Sequence, residues 1–297
     1  MDKFKESTLG DKIFYITITI VLTFFLLAVL YPVVYVVSAS ISSGSAINAG
    51  KVILFPVGFS LKSYEMMLSD TDVWRSFANS IFYTVVGTSF SVVMTICAAY
   101  CLSRKDFPGG KVVMLMFTFV MLFSGGIIPQ YLLVSNLKIR NTIWAVILPG
   151  ALSTHNLIVA RSYIENSIPH EMFEAAMVDG CSDINYFLRI VLPLSKSIIA
   201  VLVLFFGISR WNEYFKPMLY LQSKELYPLT LIIREYLIMG SMNASNIRDP
   251  AVAAKRTEML AGLRYALIVV STAPIMALYP FIQRYLVKGV MIGSVKG

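Results

Sequence analysis

Three groups of residues in this chain have the types and spacing to do chemistry. The cassette EAAMVDG, Glu174 to Gly180, carries two acids in a charged interruption between long apolar segments. The run Arg210-Trp211-Asn212-Glu213-Tyr214 sets a cation and an anion three residues apart, surrounded by the stacking and amide groups that sugars use. Ser153-Thr154-His155-Asn156 supplies hydroxyls, an imidazole and an amide. An embedded enzyme would need a constellation such as H-E-x-x-H or paired acids at depth, and His155 and His170 stand apart with no companions at metal spacing, so neither is assigned a metal. No G-x4-G-K-[ST] sequence exists: around Gly109-Gly110-Lys111, position 105 is Lys and position 112 is Val. This chain is therefore expected to bind no nucleotide and no other cofactor.

These groups are carried by elements that belong in a bilayer. Hydrophobic residues make up 57% of the 297, and charged residues 14%, where a soluble domain has about 25% charged; the mean hydropathy is +0.71. Six apolar stretches are long enough to cross a hydrocarbon core of roughly 30 Å: Ile13 to Ser40, Phe77 to Leu102, Val112 to Val134, Thr142 to Ala160, Ser197 to Leu221 and Tyr265 to Gln283. Arg210 and Glu213 interrupt the fifth. The first is too long for the apolar region of a signal peptide and reads as a retained anchor. The fold class is all-α, a polytopic membrane protein with six transmembrane helices, read as one domain over 1–297 with a polar loop at 164–196.

An even number of spans puts both termini on one face; Lys and Arg divide almost evenly between the two faces, and their higher density on the side of the termini favours termini inside the cell without settling it. The net charge of +8 is mostly membrane flanking. No stacking platform accompanies it, which argues against nucleic acid. Gly87, Ser91, Thr95 and Ala99 recur every four residues and suit close helix packing, within the bundle or against a second subunit. Gly125-Gly126, Pro129, Pro149-Gly150, Pro274 and Pro280 break the later spans, as in bundles that line a path. The three cysteines make no disulfide framework, and Cys97, Cys101 and Cys181 are expected as buried reduced thiols.

In the 164–196 loop, Pro169 can open a helix, Glu171 and Glu174 favour its N-terminal dipole, and Gly180 can end it in a left-handed cap. Met172, Phe173, Ala176 and Met177 share one side, and Ala175 with Ala176 offers a shallow packing patch. Ser182 can cap a second helix bearing Ile184, Phe187, Leu188 and Val191 at helical spacing. The product is helix, glycine elbow, helix, then Pro193 leading into the fifth span.

EAAMVDGCSDINYFLRIVLP resembles, at every fixed position, the EAA-x3-G-x9-I-x-LP pattern of the permease subunits of ABC importers, with Glu174, Ala175, Ala176, Gly180, Ile190, Leu192 and Pro193 in those places. SGGIIPQYLLV, NTIWAVILPG and SRWNEYFKPMLYL extend the likeness over most of the chain to the carbohydrate-uptake, maltose-permease-like branch, and more narrowly to permeases for complex or acidic oligosaccharides. The resemblance implies the type I importer permease fold and a cytoplasmic coupling loop at 164–196, hence both termini in the cytoplasm. It implies that Glu174 makes polar contact with a separate ATPase, that Ala175 and Ala176 form a close-packed face, and that Gly180 sets the elbow, with Asp179, Ile190, Leu192 and Pro193 completing the coupling set. Implied partners are two copies of the ATPase, which hold ATP and Mg, a second permease subunit forming a heterodimer, and an extracellular substrate-binding protein delivering a sugar. The mechanism implied is alternating access.

Arg210, Trp211, Asn212, Glu213 and Tyr214 then become candidates for the solute path or its gate, Arg210 and Glu213 facing a cavity, a partner or the interface, or pairing with each other. A helix-end anchor at the outer interface is the other reading. Asn156, with its polar neighbours, belongs either to the path or to hydrogen bonding between helices. An importer permease for a non-sugar solute and an ion-coupled secondary transporter are the competing functions.

Overall fold

The structure, a computed structural model, describes residues 8–242 and 257–277. Lys3, Lys5, Pro280, Arg284, Lys288, Lys296, the end of the sixth expected span and part of the loop before it lie outside the described residues.

The first apolar stretch forms α1 (Leu9–Ser40), which starts ahead of the apolar run because Thr8 and Asp11 build a reciprocal capping box. α2 (Gly44–Asn48) and α3 (Lys62–Ser69) follow in the polar segment. The second span is α4 (Thr71–Ser103). The third is two helices, α5 (Gly110–Leu122) and α6 (Ile127–Asn136), bent by 118°. The chain reverses there through Gly126, whose φ of +84° is open to glycine.

The fourth expected span is not a continuous helix. Pro149-Gly150 stops α7 (Trp144–Ile147), and the chain resumes as α8 (Thr154–Ser167). The polar loop holds α9 (His170–Val178) and α10 (Asp183–Tyr186), which continues through a π-helical turn at Phe187–Val191 into α11 (Leu192–Leu194). Pro193 lacks an N–H and crowds the carbonyl four residues back, and the wider turn lies just ahead of it. At Ser195 the axis turns by 76° into α12 (Lys196–Trp211). The fifth span likewise breaks, at residues 212–214, before α13 (Phe215–Tyr220). α14 (Leu229–Met242) and α15 (Thr257–Ala277) complete the described helices. Three of them are long and apolar enough to cross a membrane, or five spans if each bent pair counts as one. No strand occurs among the described residues, only an isolated bridge between Ser42 and Phe59.

The described residues form two compact units, one from 8–70, 233–242 and 257–272, the other from 71–232 and 273–277. In the first, Ala39, Ala46, Ile47, Val52 and Ala261 make a small core. The Tyr35 and Tyr265 rings meet edge to face at 5.7 Å, and the Ser45 N–H donates to Glu258 Oε1 at 3.2 Å.

In the second unit α4 packs chiefly against α8 and α12. Val92, Ile96, Ala99, Leu157, Ala160, Leu202 and Phe206 fill the space between them. Gly87, Ser91, Thr95 and Ala99 are all buried, so the small-residue stripe serves packing inside this chain. The expectation for two cysteines fails for the same reason. Cys97 and Cys101 are exposed, because a helix that buries the 87/91/95/99 stripe turns 97 and 101 outward.

Candidate functional site

The cassette folds as its chemistry dictates. Pro169 precedes the first turn of α9 in extended conformation, and Glu171 lies in that turn. At the other end Gly180 takes φ +76°. Its N–H donates to the Met177 carbonyl at 3.0 Å, and the Cys181 N–H donates to the Ala176 carbonyl at 2.9 Å. This pair of bonds is the Schellman closure, and it needs the left-handed residue that glycine supplies. Ser182 then caps α10, its hydroxyl accepting from the Asn185 N–H. The expected helix, glycine elbow and second helix are all present.

The outward and inward sides differ from the expectation. Ala175 is exposed, whereas Ala176 is 8% exposed and packed among Ala160, Ile164, Ile168, Tyr186 and Val191. Adjacent helical residues point about 100° apart, so the two alanines cannot share one face. Phe173 and Met177 join Ala176 on the inward side, but Met172 is exposed. Ile190 and Leu192 also pack on the chain's own core. Glu174, Ala175, Asp179, Gly180 and Pro193 lie open. Beside them Val178 is 88% exposed, Ile184 71% and Leu188 52%.

Arg104, immediately after α4, holds this loop from beneath. Its guanidinium carbon lies 3.6 Å from the centre of the Phe173 ring. Nη1 donates to Asp183 Oδ1 at 3.0 Å and to the Tyr100 hydroxyl at 3.1 Å, and Nε donates to Asp106 Oδ1 at 2.7 Å. The Tyr100 ring in turn lies on Phe187 at 4.9 Å. Along the sequence Arg104 reads only as a flanking basic residue, since nothing in SRKDFPGG points to Phe173 or to Asp183, 79 positions away.

Arg210 is 7% exposed. Nη1 donates to the Val146 carbonyl at 2.7 Å, and Nη2 donates to the Ile147 carbonyl at 2.8 Å and to Ser91 Oγ at 3.3 Å. In an unbroken helix those carbonyls would accept from residues 150 and 151, but Pro149-Gly150 ends the helix and the Ala151 N–H turns to Leu148 instead. A guanidinium from α12 replaces the missing donors. Of the alternatives for Arg210 and Glu213, pairing with each other is not formed: Glu213 Oε2 accepts from Lys216 Nζ at 2.7 Å. Once the break at Asn212 ends α12, residues 210 and 213 no longer follow helical spacing. Trp211 meets Phe77 edge to face at 6.0 Å, while Asn212 and Tyr214 are exposed and Asn156 is buried on α8. Among the described residues no group of three His, Cys, Asp or Glu side chains is placed to hold a metal.

No protein-family model matches the chain. Individual relatives do. It is 38% identical over 266 residues to Protein LplC of Bacillus subtilis, covering 90% of this chain and 89% of that one. The Bacillus subtilis polygalacturonan/rhamnogalacturonan transport system permease protein YtcP is 37% identical over 276 residues, 93% of this chain and 96% of that one. This chain belongs to the permease subunits of carbohydrate-uptake ABC importers. Its fold agrees: a chain in the crystal structure of a bacterial ABC transporter involved in the import of the acidic polysaccharide alginate superposes with a TM-score of 0.85 at 33% identity, covering 94% of this permease and 98% of that chain. As a permease of this family it is a membrane protein and a transport subunit.

Proposed function

We propose that this permease forms half of the translocation path of an ATP-driven sugar importer, and that 164–196 is the cytoplasmic loop through which a separate ATPase drives it. The observation that carries the loop assignment is the open face of α9 and α10, where Glu174, Ala175 and Asp179 stand beside Val178, Ile184 and Leu188. The buried residues of the same motif, Ala176, Ile190 and Leu192, seat the loop on its own subunit. ATP and Mg belong to two ATPase copies, a second and different permease completes the path, and an extracellular binding protein delivers the solute. A cytoplasmic loop at 164–196 places both termini in the cytoplasm.

The substrate class we favour is an acidic oligosaccharide. Support comes from the polygalacturonan/rhamnogalacturonan permease and the alginate importer among the similar proteins. Asn212 and Tyr214, exposed at the broken end of α12, are the side chains we place at the path or its gate, with Trp211 behind them. Glu213 contributes by tying that break to Lys216 and Thr230, Arg210 by closing the break after α7, and Asn156 by packing between helices.

The test is to purify the tagged permease gently from its membrane with Glu174→Lys or Gly180→Trp. Both variants should insert, while the ATPase that accompanies the wild type no longer co-purifies and uptake is lost. Survival of both recruitment and uptake would refute the loop assignment. Competition by unlabelled oligogalacturonates against neutral oligosaccharides and amino acids then decides the solute class.

A further inference from the structure

Both helices of the 164–196 loop converge on a single side chain belonging to neither. Arg104 is 15% exposed at its side chain and touches four segments: Tyr100 on α4, Asp106 in the following turn, Phe173 on α9 and Asp183 in the first turn of α10. Asp183 also sits where a carboxylate favours its own helix dipole. The acids are largely exposed, at 57% for Asp106 and 67% for Asp183, so each ion pair by itself holds weakly. The contact with the face of Phe173 is different in kind. The Phe173 ring is itself held by Tyr186, edge to face at 5.2 Å, and by His170, near-parallel at 5.9 Å, and a cation–π contact with a ring so held is directional as well as favourable. The guanidinium therefore joins α9 and α10 to the end of α4.

Further along, the same helix α4 holds the other clamp. Ser91 accepts from Arg210, and Gly87 lies under the Arg210 stem. A rigid helix thus runs from the loop joint to the residue that closes the break after α7.

We propose that Arg104 is a positioning residue that locks the coupling helices to α4, so that a displacement imposed on the loop is passed into the second span as a rigid-body movement. This rests on the reading of 164–196 as the ATPase-driven loop. Without the ring contact, α9 and α10 follow the ATPase while α4 lags.

The experiment uses the assembled transporter, with Cys97, Cys101 and Cys181 replaced and spin labels at Glu171→Cys on α9 and Val93→Cys on the exposed face of α4. Distances are compared before and after adding a non-hydrolysable ATP analogue. In the otherwise unchanged protein the distance should be insensitive to nucleotide. In Arg104→Lys, which keeps the charge and loses the fork and its ring contact, and in Phe173→Leu, which keeps Arg104 and loses the ring, nucleotide should shift or split the distribution. Phe173→Tyr, which keeps the ring, should restore the insensitive distance. A wild-type distance that itself moves with nucleotide overturns the proposal, as does insensitivity in both variants or a broadening that is the same with and without nucleotide. Failure of any ATPase to co-purify with the wild-type chain would instead refute the loop assignment on which the proposal stands.

Discussion

The Arg210 guanidinium donates to the Val146 carbonyl oxygen at 2.7 Å, joining the end of one broken helix to another. Charge in the middle of an apolar run thereby becomes structural: the arginine completes the hydrogen bonding that Pro149-Gly150 takes away. Arg210→Met keeps much of the stem volume but leaves the Val146 and Ile147 carbonyls buried without these donors. It should destabilise the permease by about 2–4 kcal/mol, seen as a lowered unfolding midpoint in detergent and as faster hydrogen exchange around residues 148–152. Arg210→Lys, with a point charge in place of a fork, should fall between the two.

Gly87 is part of the same contact. A Cβ there would stand 3.3 Å from Arg210 Nε and 3.4 Å from its Cδ, and three hydrogen bonds prevent the guanidinium from moving aside. Gly87→Val should therefore destabilise by about 1–3 kcal/mol. The loss should shrink when Arg210→Met is already present, a non-additivity that a double-mutant cycle in thermal unfolding would reveal.

At Gly180 nothing lies within 4 Å of the place a Cβ would take, so backbone conformation alone sets the penalty. With φ at +76°, Gly180→Ala should cost about 1–2 kcal/mol and Gly180→Asn less, since asparagine tolerates the left-handed region. Uptake should rank Gly above Asn above Ala. Equal activity in all three would mean that the elbow's geometry is not used.

Asp106 accepts from Arg104, and that hydrogen bond holds its carboxyl below the ordinary aspartate value. A depressed folded-state pKa contributes stability that is present above the unfolded value, near 4, and is lost as pH falls through the folded one. Wild type and Asp106→Asn should therefore differ by a constant amount near neutral pH and converge as the pH drops below about 4. Exposure of the carboxylate limits the difference to about 1 kcal/mol or less. Unfolding midpoints measured from pH 7 down to pH 3 check this.

Much of this molecule is legible along the chain, because its signals are local. Apolar length selects membrane helices, and Pro169, Gly180 and Ser182 write the start, elbow and restart of the loop through backbone rules acting within a few residues. Gly126 and Pro149-Gly150 mark where helices break for the same reason. What the chain alone leaves open is direction. The motif names Ala175 and Ala176 together, but only packing against Ala160 and Ile164 turns Ala176 inward and leaves Ala175 in the open. Cys97 and Cys101 face outward only because α8 and α12 occupy the other side of α4.

The two arginine clamps lie wholly beyond sequence reading. Arg210 reaches carbonyls 63 and 64 positions away, and Arg104 reaches an acid 79 positions away. A long flexible side chain finds its partners only after the helices have packed. Sequence therefore settled the family, the all-α class and the elbow, which depend on neighbouring residues. Tertiary structure decided which charges are locks and which faces remain free, because both depend on what the fold brings within a few ångströms.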